Sequence, residues 1–233
     1  AGTGVLLLEQ LALGHARGSS HGTSRIFRLA YPDADHVRLA QRALDAWREL
    51  ETAAGVELVT RVGSLDIGPV ALEHARALAA CGVRHEMLTG ADVSARWPLA
   101  VRADAPSLFQ PDGGVILADR AHALLLDGAR AAGAVVREQT RVAALAPDRG
   151  AVLVELASGG TLRARAVVVT AGAWAQRLLE PHGIELAAVP TRETVAYVGY
   201  DAAGLPTVID DDLTPTTGRG RSGELTYALA AQI

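Results

Sequence analysis

The sequence predicts an α/β chain: a doubly wound sheet combined with a second, mainly antiparallel domain. Three observations carry this. Val5 to Leu8 is a continuous apolar run closed by an acid, Glu9, the pattern of a strand covered on both faces of a parallel sheet. Ala166 to Thr170, AVVVT, is a second such run, followed by the small-residue turn Ala171-Gly172-Ala173-Trp174 and a helical stretch. Val56 to Ile67 and Thr194 to Tyr200 alternate instead, as strands with one wet face do.

Composition sets the outer limits. A chain of 233 residues, 49% of them hydrophobic, builds one large domain or two small ones with a sizeable core. The net charge of -4 points away from nucleic acid and from anionic membrane surfaces. All 22 basic residues are arginine. The single cysteine, Cys81, excludes an intrachain disulfide and a thiolate metal cluster, which suits a reducing, cytoplasmic setting. The seven histidines show no metal-ligand spacing, so no metal is expected. No apolar run is long enough to span a bilayer, and no signal peptide is visible.

Taken in order, Val5 to Leu8 opens the chain as a strand. Glu9 then stands where a dinucleotide-binding unit places the acid that hydrogen-bonds ribose hydroxyls, or is an ordinary strand-end carboxylate in water. Gly18 to Arg28, GSSHGTSRIFR, reads as a loop whose glycines and hydroxyl residues make the backbone permissive and rich in donors. His21, Arg25 and Arg28 add three side chains able to carry positive charge. The two arginines share a face only if the segment is helical; if it is extended they diverge.

A helix is expected over His36 to Ala53, with Val37, Leu39, Ala40, Ala43, Leu44, Trp47 and Leu50 as its apolar stripe. Trp47 is read as core packing. Val56 to Ile67 reads as one or two strands opening a second sheet, and Pro69 to Cys81 as a helix ended by Gly82. Cys81 is a small buried residue on this reading. Ala91 to Trp97 is a short helix halted before Pro98, and Ser107 to Val115 is a region of turns. Asp119 to Ala132 is an amphipathic helix capped by Gly133. A short strand follows at Ala134 to Glu138, then a hairpin of Ala151 to Leu156 and Thr161 to Arg165 joined through Ser158-Gly159-Gly160. The small residues after AVVVT let a backbone approach closely, and the helix start favours phosphate; a tight strand-to-helix turn needs the same glycine. Asp210-Asp211-Asp212 reads as a solvated loop.

Three stretches, GSSHGTSRIFRLAY, RWP with FQPDGGV, and VVVTAGAW, together resemble the monomeric sarcosine oxidase and N-methyltryptophan oxidase group. These are flavin-dependent amine oxidases of the D-amino-acid-oxidase-like superfamily. The resemblance implies a Rossmann-like FAD-binding domain, 1–55 with 111–189, and a substrate domain, 56–110 with 190–233. It implies FAD contacts at Glu9, Gly18, Ser19, Ser20, His21, Gly22, Arg25, Val142, Thr170, Ala171, Gly172 and Trp174. Arg25 and His21 would be the catalytic groups beside the flavin. Arg28 matches the arginine that pairs with the substrate carboxylate, and Tyr227 the tyrosine that borders the substrate. Ser20 stands where close relatives have a further histidine.

The implied reaction is oxidation of a secondary amine or N-methyl amino acid to an imine, with oxygen reduced to peroxide. The expected partners are thus a small amino-acid-like amine and oxygen. Set beside the family pattern, the sequence shows neither the GxGxxG turn nor the later region bearing the covalent flavin cysteine and the oxygen-activating lysine. Cys81 does not occupy the covalent site. An inactive remnant or split flavoprotein, and a related dehydrogenase or glycine oxidase, are the alternative expectations.

Overall fold

The computed structural model describes residues 4–186, 189–190 and 204–210, together with the strand at 226–228. The elements begin with β1 (Leu6–Leu8), β2 (Ser24–Phe27), α1 (Ala34–Ala54), β3 (Val59–Thr60), β4 (Ser64–Ile67) and α2 (Val70–Ala80). They continue through β5 (Glu86–Thr89), α3 (Gly90–Arg96), β6 (Pro106–Gln110), β7 (Gly114–Leu117), α4 (Ala118–Ala131) and β8 (Val135–Arg137). Last come β9 (Val142–Asp148), β10 (Ala151–Leu156), β11 (Thr161–Ala164), α5 (Ala175–Leu179), β12 (Thr207–Asp210) and β13 (Thr226–Ala228).

The chain divides into two compact units, 1–22 with 122–198 and 23–121 with 199–233. Residues 23–55 and 111–121, assigned from sequence to the FAD-binding part, therefore group with the second unit.

In the first unit β1 pairs in parallel with β8, from Leu6 opposite Val135 to Leu8 opposite Arg137. β9, β10 and β11 form an antiparallel meander, and the β10–β11 turn uses Gly159 and Gly160 at φ 91° and 88°. The hairpin read from sequence is present. AVVVT is not a strand: residues 166–170 join no ladder, and Val168 is 83% exposed. A strand exists only through hydrogen bonds to a neighbour, and no described segment forms a ladder with this one.

The second unit holds two sheets. β2, β7 and β3 form an antiparallel three-stranded sheet in that order, and β13-β12-β4-β6-β5 form a five-stranded one. Val56 to Ile67 thus contributes a strand to each sheet, with Gly63 at φ 84° between them. Ser107 to Val115, expected as turns, contains all of β6 but its first residue, and the start of β7. One of its glycines serves close approach within a strand: a Cβ on Gly114 would lie 2.1 Å from the Thr60 carbonyl oxygen. The expected loop at Gly18–Arg28 likewise becomes a strand from Ser24, because Ile26 and Phe27 find partners in Val115 and Gly114.

α1 starts two residues before the expected His36 because Asp33 caps it, its carboxylate accepting from the Asp35 and His36 N–H groups at 3.1 and 2.9 Å. Gly55, at φ 67°, closes it. Val37, Ala40 and Leu44 carry the buried stripe, with Trp47 packed beside it, whereas Leu39 falls off the stripe and faces solvent. Glu51 ties the helix to β3 by accepting from the N–H groups of Leu58 and Val59 at 2.7 and 2.8 Å. Cys81 is half-buried at the end of α2, its Sγ 3.5 Å from the Ala34 carbonyl.

All four residues of β4 are buried, so this strand is covered on both faces. Leu65 and Ile67 join Val93 and Ala105 in one apolar cluster, with Trp97 and Phe109 against it. Leu108 belongs to the other cluster, with Ala71, Ala77 and Leu78 of α2. Thr194 to Tyr200 lies outside the described residues.

Candidate functional site

In the first unit the site is organised by Glu9, immediately beyond β1. Its backbone is held at both polar groups: its N–H donates to the Arg137 carbonyl at 2.9 Å, and its own carbonyl accepts from Thr140 N–H at 2.7 Å. The loop that follows is attached to the same turn. Gln139 N–H donates to the Leu11 carbonyl at 3.1 Å, and Leu13 N–H to Glu138 Oε2 at 2.7 Å. Glu9 therefore sits close to the start of β9, where Val142 pairs with Leu156.

The Glu9 carboxylate is half-buried, and its Oε1 accepts the Leu11 N–H at 2.8 Å. His15, which sequence reasoning passed over, places Nε2 3.6 Å from the same oxygen. His15 Nδ1 accepts the Arg17 N–H at 3.0 Å, so the neutral ring carries its proton on Nε2 and turns it toward Glu9. A short-range turn then closes at Gly18, whose carbonyl faces both the backbone N–H and Nδ1 of His21. Ser19, Ser20 and His21 lie at the surface, and Gly22 has φ 95°.

The second predicted cofactor contact takes a less regular form than expected. Thr170 and Ala171 precede a 3₁₀ turn, Gly172–Trp174, which runs into the five-residue α5. Gly172 has φ 51°, a backbone conformation that favours glycine, and no atom lies within 4 Å of where its Cβ would be. The backbone here is thus open to close approach by a ligand. These features suit FAD: a carboxylate acceptor at a strand end for ribose hydroxyls, and an exposed glycine backbone that a dinucleotide can approach closely.

In the second unit the substrate-side candidates lie on and after β2. Arg25 pairs with Ile116, and its Nη1 donates to the Ser24 carbonyl at 2.6 Å. The segment is extended through Phe27, so Arg25 and Arg28 are not stacked on a helical face, the condition under which they would have shared one. A shallow pocket of about 180 Å³ opens beside this sheet between Thr23, Ser24, Val115, Leu117, Asp119 and Arg120. It is smaller than the roughly 300 Å³ or more of ordinary ligand sites.

Arg28 is set apart by its environment. Its Nη1 is buried and has no hydrogen-bond partner among the described residues. A buried donor without an acceptor is costly, and a bound anion is one way to satisfy it. The guanidinium carbon lies 4.6 Å from the centre of the Tyr31 ring. Tyr31 stacks in turn on His36, with centroids 5.8 Å apart, and the His36 Nδ1 bonds to the Asp33 carboxylate. That carboxyl is held below its ordinary range, first by the His36 backbone N–H and next by the His36 ring. Tyr31 too was not foreseen as a site residue. Its signal was the spacing of Arg, Tyr and His, whose meaning depends on the turn before α1.

Tyr227 lies on β13, opposite Ile209 of β12; only its backbone position falls within the description. Asp210 ends β12, and Asp211 and Asp212 lie outside the described residues. No group of three or more His, Cys, Asp or Glu among the described residues is placed to hold a metal ion. No described helix is long and apolar enough to cross a membrane.

Known proteins resemble this chain over most of its length. Human peroxisomal sarcosine oxidase is 33% identical over 198 residues, 83% of this chain and 50% of that protein. N-methyl-L-tryptophan oxidase of Citrobacter koseri is 30% identical, over 100% of this chain and 62% of its own. The solved structure of NikD, an unusual amino acid oxidase essential for nikkomycin biosynthesis, superposes with a TM-score of 0.75 at 30% identity. It covers 91% of this chain and 57% of NikD. The chain spans about half the length of the curated relatives it matches. The pattern of one family, DAO, FAD dependent oxidoreductase, matches residues 1–225, and the chain belongs to that family.

Proposed function

We propose that the protein is an FAD-dependent amine oxidase of the sarcosine oxidase type. It would oxidise the C–N bond of a secondary amine or N-methyl amino acid to an imine, with oxygen reduced to peroxide. The observation that carries the substrate side of this reading is the buried, unpartnered Nη1 of Arg28. A guanidinium with free in-plane donors is matched by a carboxylate, which accepts two parallel N–H bonds.

When bound, FAD supplies the acceptor for the two electrons removed from the substrate. Glu9 accepts from ribose hydroxyls; Gly18, Ser19, Ser20 and Gly22 offer a permissive backbone. Val142 and the run Thr170, Ala171, Gly172 and Trp174 complete the cofactor contacts. Arg25 and His21 are assigned the catalytic positions beside the flavin, where Arg25 holds positive charge as negative charge accumulates on reduction. Arg28 orients the substrate by its carboxylate, with Tyr227 at the border. Cofactor binding is assigned to 1–55 with 111–189, and substrate binding to 56–110 with 190–233. The partners are a small amine and oxygen, and the single cysteine supports a reducing, cytoplasmic setting.

The test joins a visible absorption spectrum of the purified protein, with and without added FAD, to a peroxide assay on sarcosine. Retained flavin and peroxide release are expected. Arg28→Ala should lower kcat/KM roughly a hundredfold, mostly through KM, as for loss of a charge-assisted hydrogen bond. A folded protein that keeps no flavin, or an Arg28→Ala variant with unchanged KM, would overturn the reading.

A further inference from the structure

We propose that Tyr31 is a positioning residue for Arg28: its ring holds the guanidinium by one face and so presents the edge of that group to a carboxylate. The inference rests on the assignment of Arg28 to the substrate carboxylate and deepens it.

Arginine has a long, flexible side chain, and fixing it on a ligand costs conformational entropy. A clamp that used the N–H groups would remove the donors the ligand needs. Tyr31 avoids this conflict. Its ring meets the guanidinium at 4.6 Å, a cation–π contact made through the π-face. The donors lie in the guanidinium plane and stay available, and the buried Nη1 indeed has no partner among the described residues.

The clamp is itself fixed from two sides. Tyr31 follows the buried Leu29 and Ala30 and packs against the apolar cluster that contains them. Its ring is also stacked on His36 at an interplanar angle of 29°. His36 belongs to the first turn of α1, and its Nδ1 is bonded to the capping carboxylate of Asp33. A continuous series of contacts, Asp33 to His36 to Tyr31 to Arg28, thus ties the orientation of the arginine to a helix terminus. The phenolic hydroxyl has no part in this arrangement, so the ring alone should suffice.

The test follows the guanidinium NMR resonance of Arg28, assigned by its loss in Arg28→Lys. Sarcosine is titrated into the FAD-supplemented wild-type protein and its Tyr31→Phe and Tyr31→Leu variants. A ring-current shift of the Arg28 resonance is expected in wild type and Tyr31→Phe, and should vanish in Tyr31→Leu. The Kd for sarcosine should be unchanged in Tyr31→Phe and about fivefold weaker in Tyr31→Leu, the size of a moderate cation–π contribution. Thermal unfolding of each variant separates this from general destabilisation: a role in packing alone lowers Tm without weakening sarcosine binding. If sarcosine leaves the wild-type resonance unmoved, the carboxylate assignment of Arg28 fails and takes this inference with it. If sarcosine moves it and Tyr31→Leu binds equally well, or Tyr31→Phe binds as weakly as Tyr31→Leu, the positioning role alone is overturned.

Discussion

His74 Nδ1 lies 2.8 Å from Asp66 Oδ2, and the two side chains are only 3% and 1% exposed. The pair joins α2 to the central strand β4 of the five-stranded sheet. The other oxygen of the same carboxylate, Oδ1, is buried without a hydrogen-bond partner among the described residues. This unit thus holds a polar contact inside its core.

Removing one partner should therefore cost more than removing both. His74→Ala leaves a carboxylate buried without its only described partner, and a loss of about 3 kcal/mol or more is expected. Replacing both residues with apolar ones of similar volume should be less damaging than His74→Ala. Urea midpoints and slopes for the two single variants and the double variant measure this directly; a fully additive double variant would show that the two side chains are not coupled.

Two glycines should respond in opposite directions to alanine. Gly114 places its missing Cβ 2.1 Å from the Thr60 carbonyl, so Gly114→Ala must push β3 away from β7, at a cost of roughly 3 kcal/mol or more. Gly128 lies inside α4 with nothing within 4 Å of its Cβ position. Gly128→Ala should stabilise by about 0.5–1 kcal/mol, through helix propensity and a less flexible unfolded chain. Thermal unfolding of the two variants should bracket the wild-type Tm.

The Asp33 cap predicts a specific acid limb. Its carboxyl is held below the ordinary value of 3.8, first by the His36 backbone N–H. The folded pKa lies below the unfolded one, so the carboxylate's contribution is complete above pH 3.8 and disappears as pH falls through the folded value. Asp33→Asn keeps a good cap but cannot ionise. Its stability relative to wild type should improve steadily below about pH 4, read from unfolding midpoints between roughly pH 2 and 6. An unchanged difference across that range would remove Asp33 from the acid response.

Arg96 offers a test of stacking against charge. Its guanidinium lies 4.5 Å from the ring centres of both Trp97 and Phe109, and it bonds Glu86 at 2.8 Å. The ion pair is exposed, so Glu86→Ala should cost no more than about 0.5 kcal/mol. Arg96→Ala also loses the two ring contacts and the packing of its stem, and should cost about 1 kcal/mol more. Equal losses in the two variants would assign the whole effect to the ion pair.

The sequence by itself determined the elements whose signal is local. α1, α2 and α4 were legible because their apolar spacing, caps and terminal glycines all lie within a single segment. Glu9 at the end of the first strand and the β10–β11 turn were legible for the same reason, and the resemblance of three short stretches located the family. What only the tertiary structure decided depends on partners distant in the chain. AVVVT is apolar at every position but its last, yet no described neighbour gives it a ladder. Ser24–Phe27, polar at its start, is a strand because Gly114–Leu117 lies beside it. Arg28 was named from its motif, but its buried, unpartnered nitrogen and the Tyr31 ring against it arise only when the chain turns into α1. A hydrogen bond, a stacked ring or a buried donor is a relation between positions in space, and sequence spacing states that relation only where one helix or one turn joins the residues.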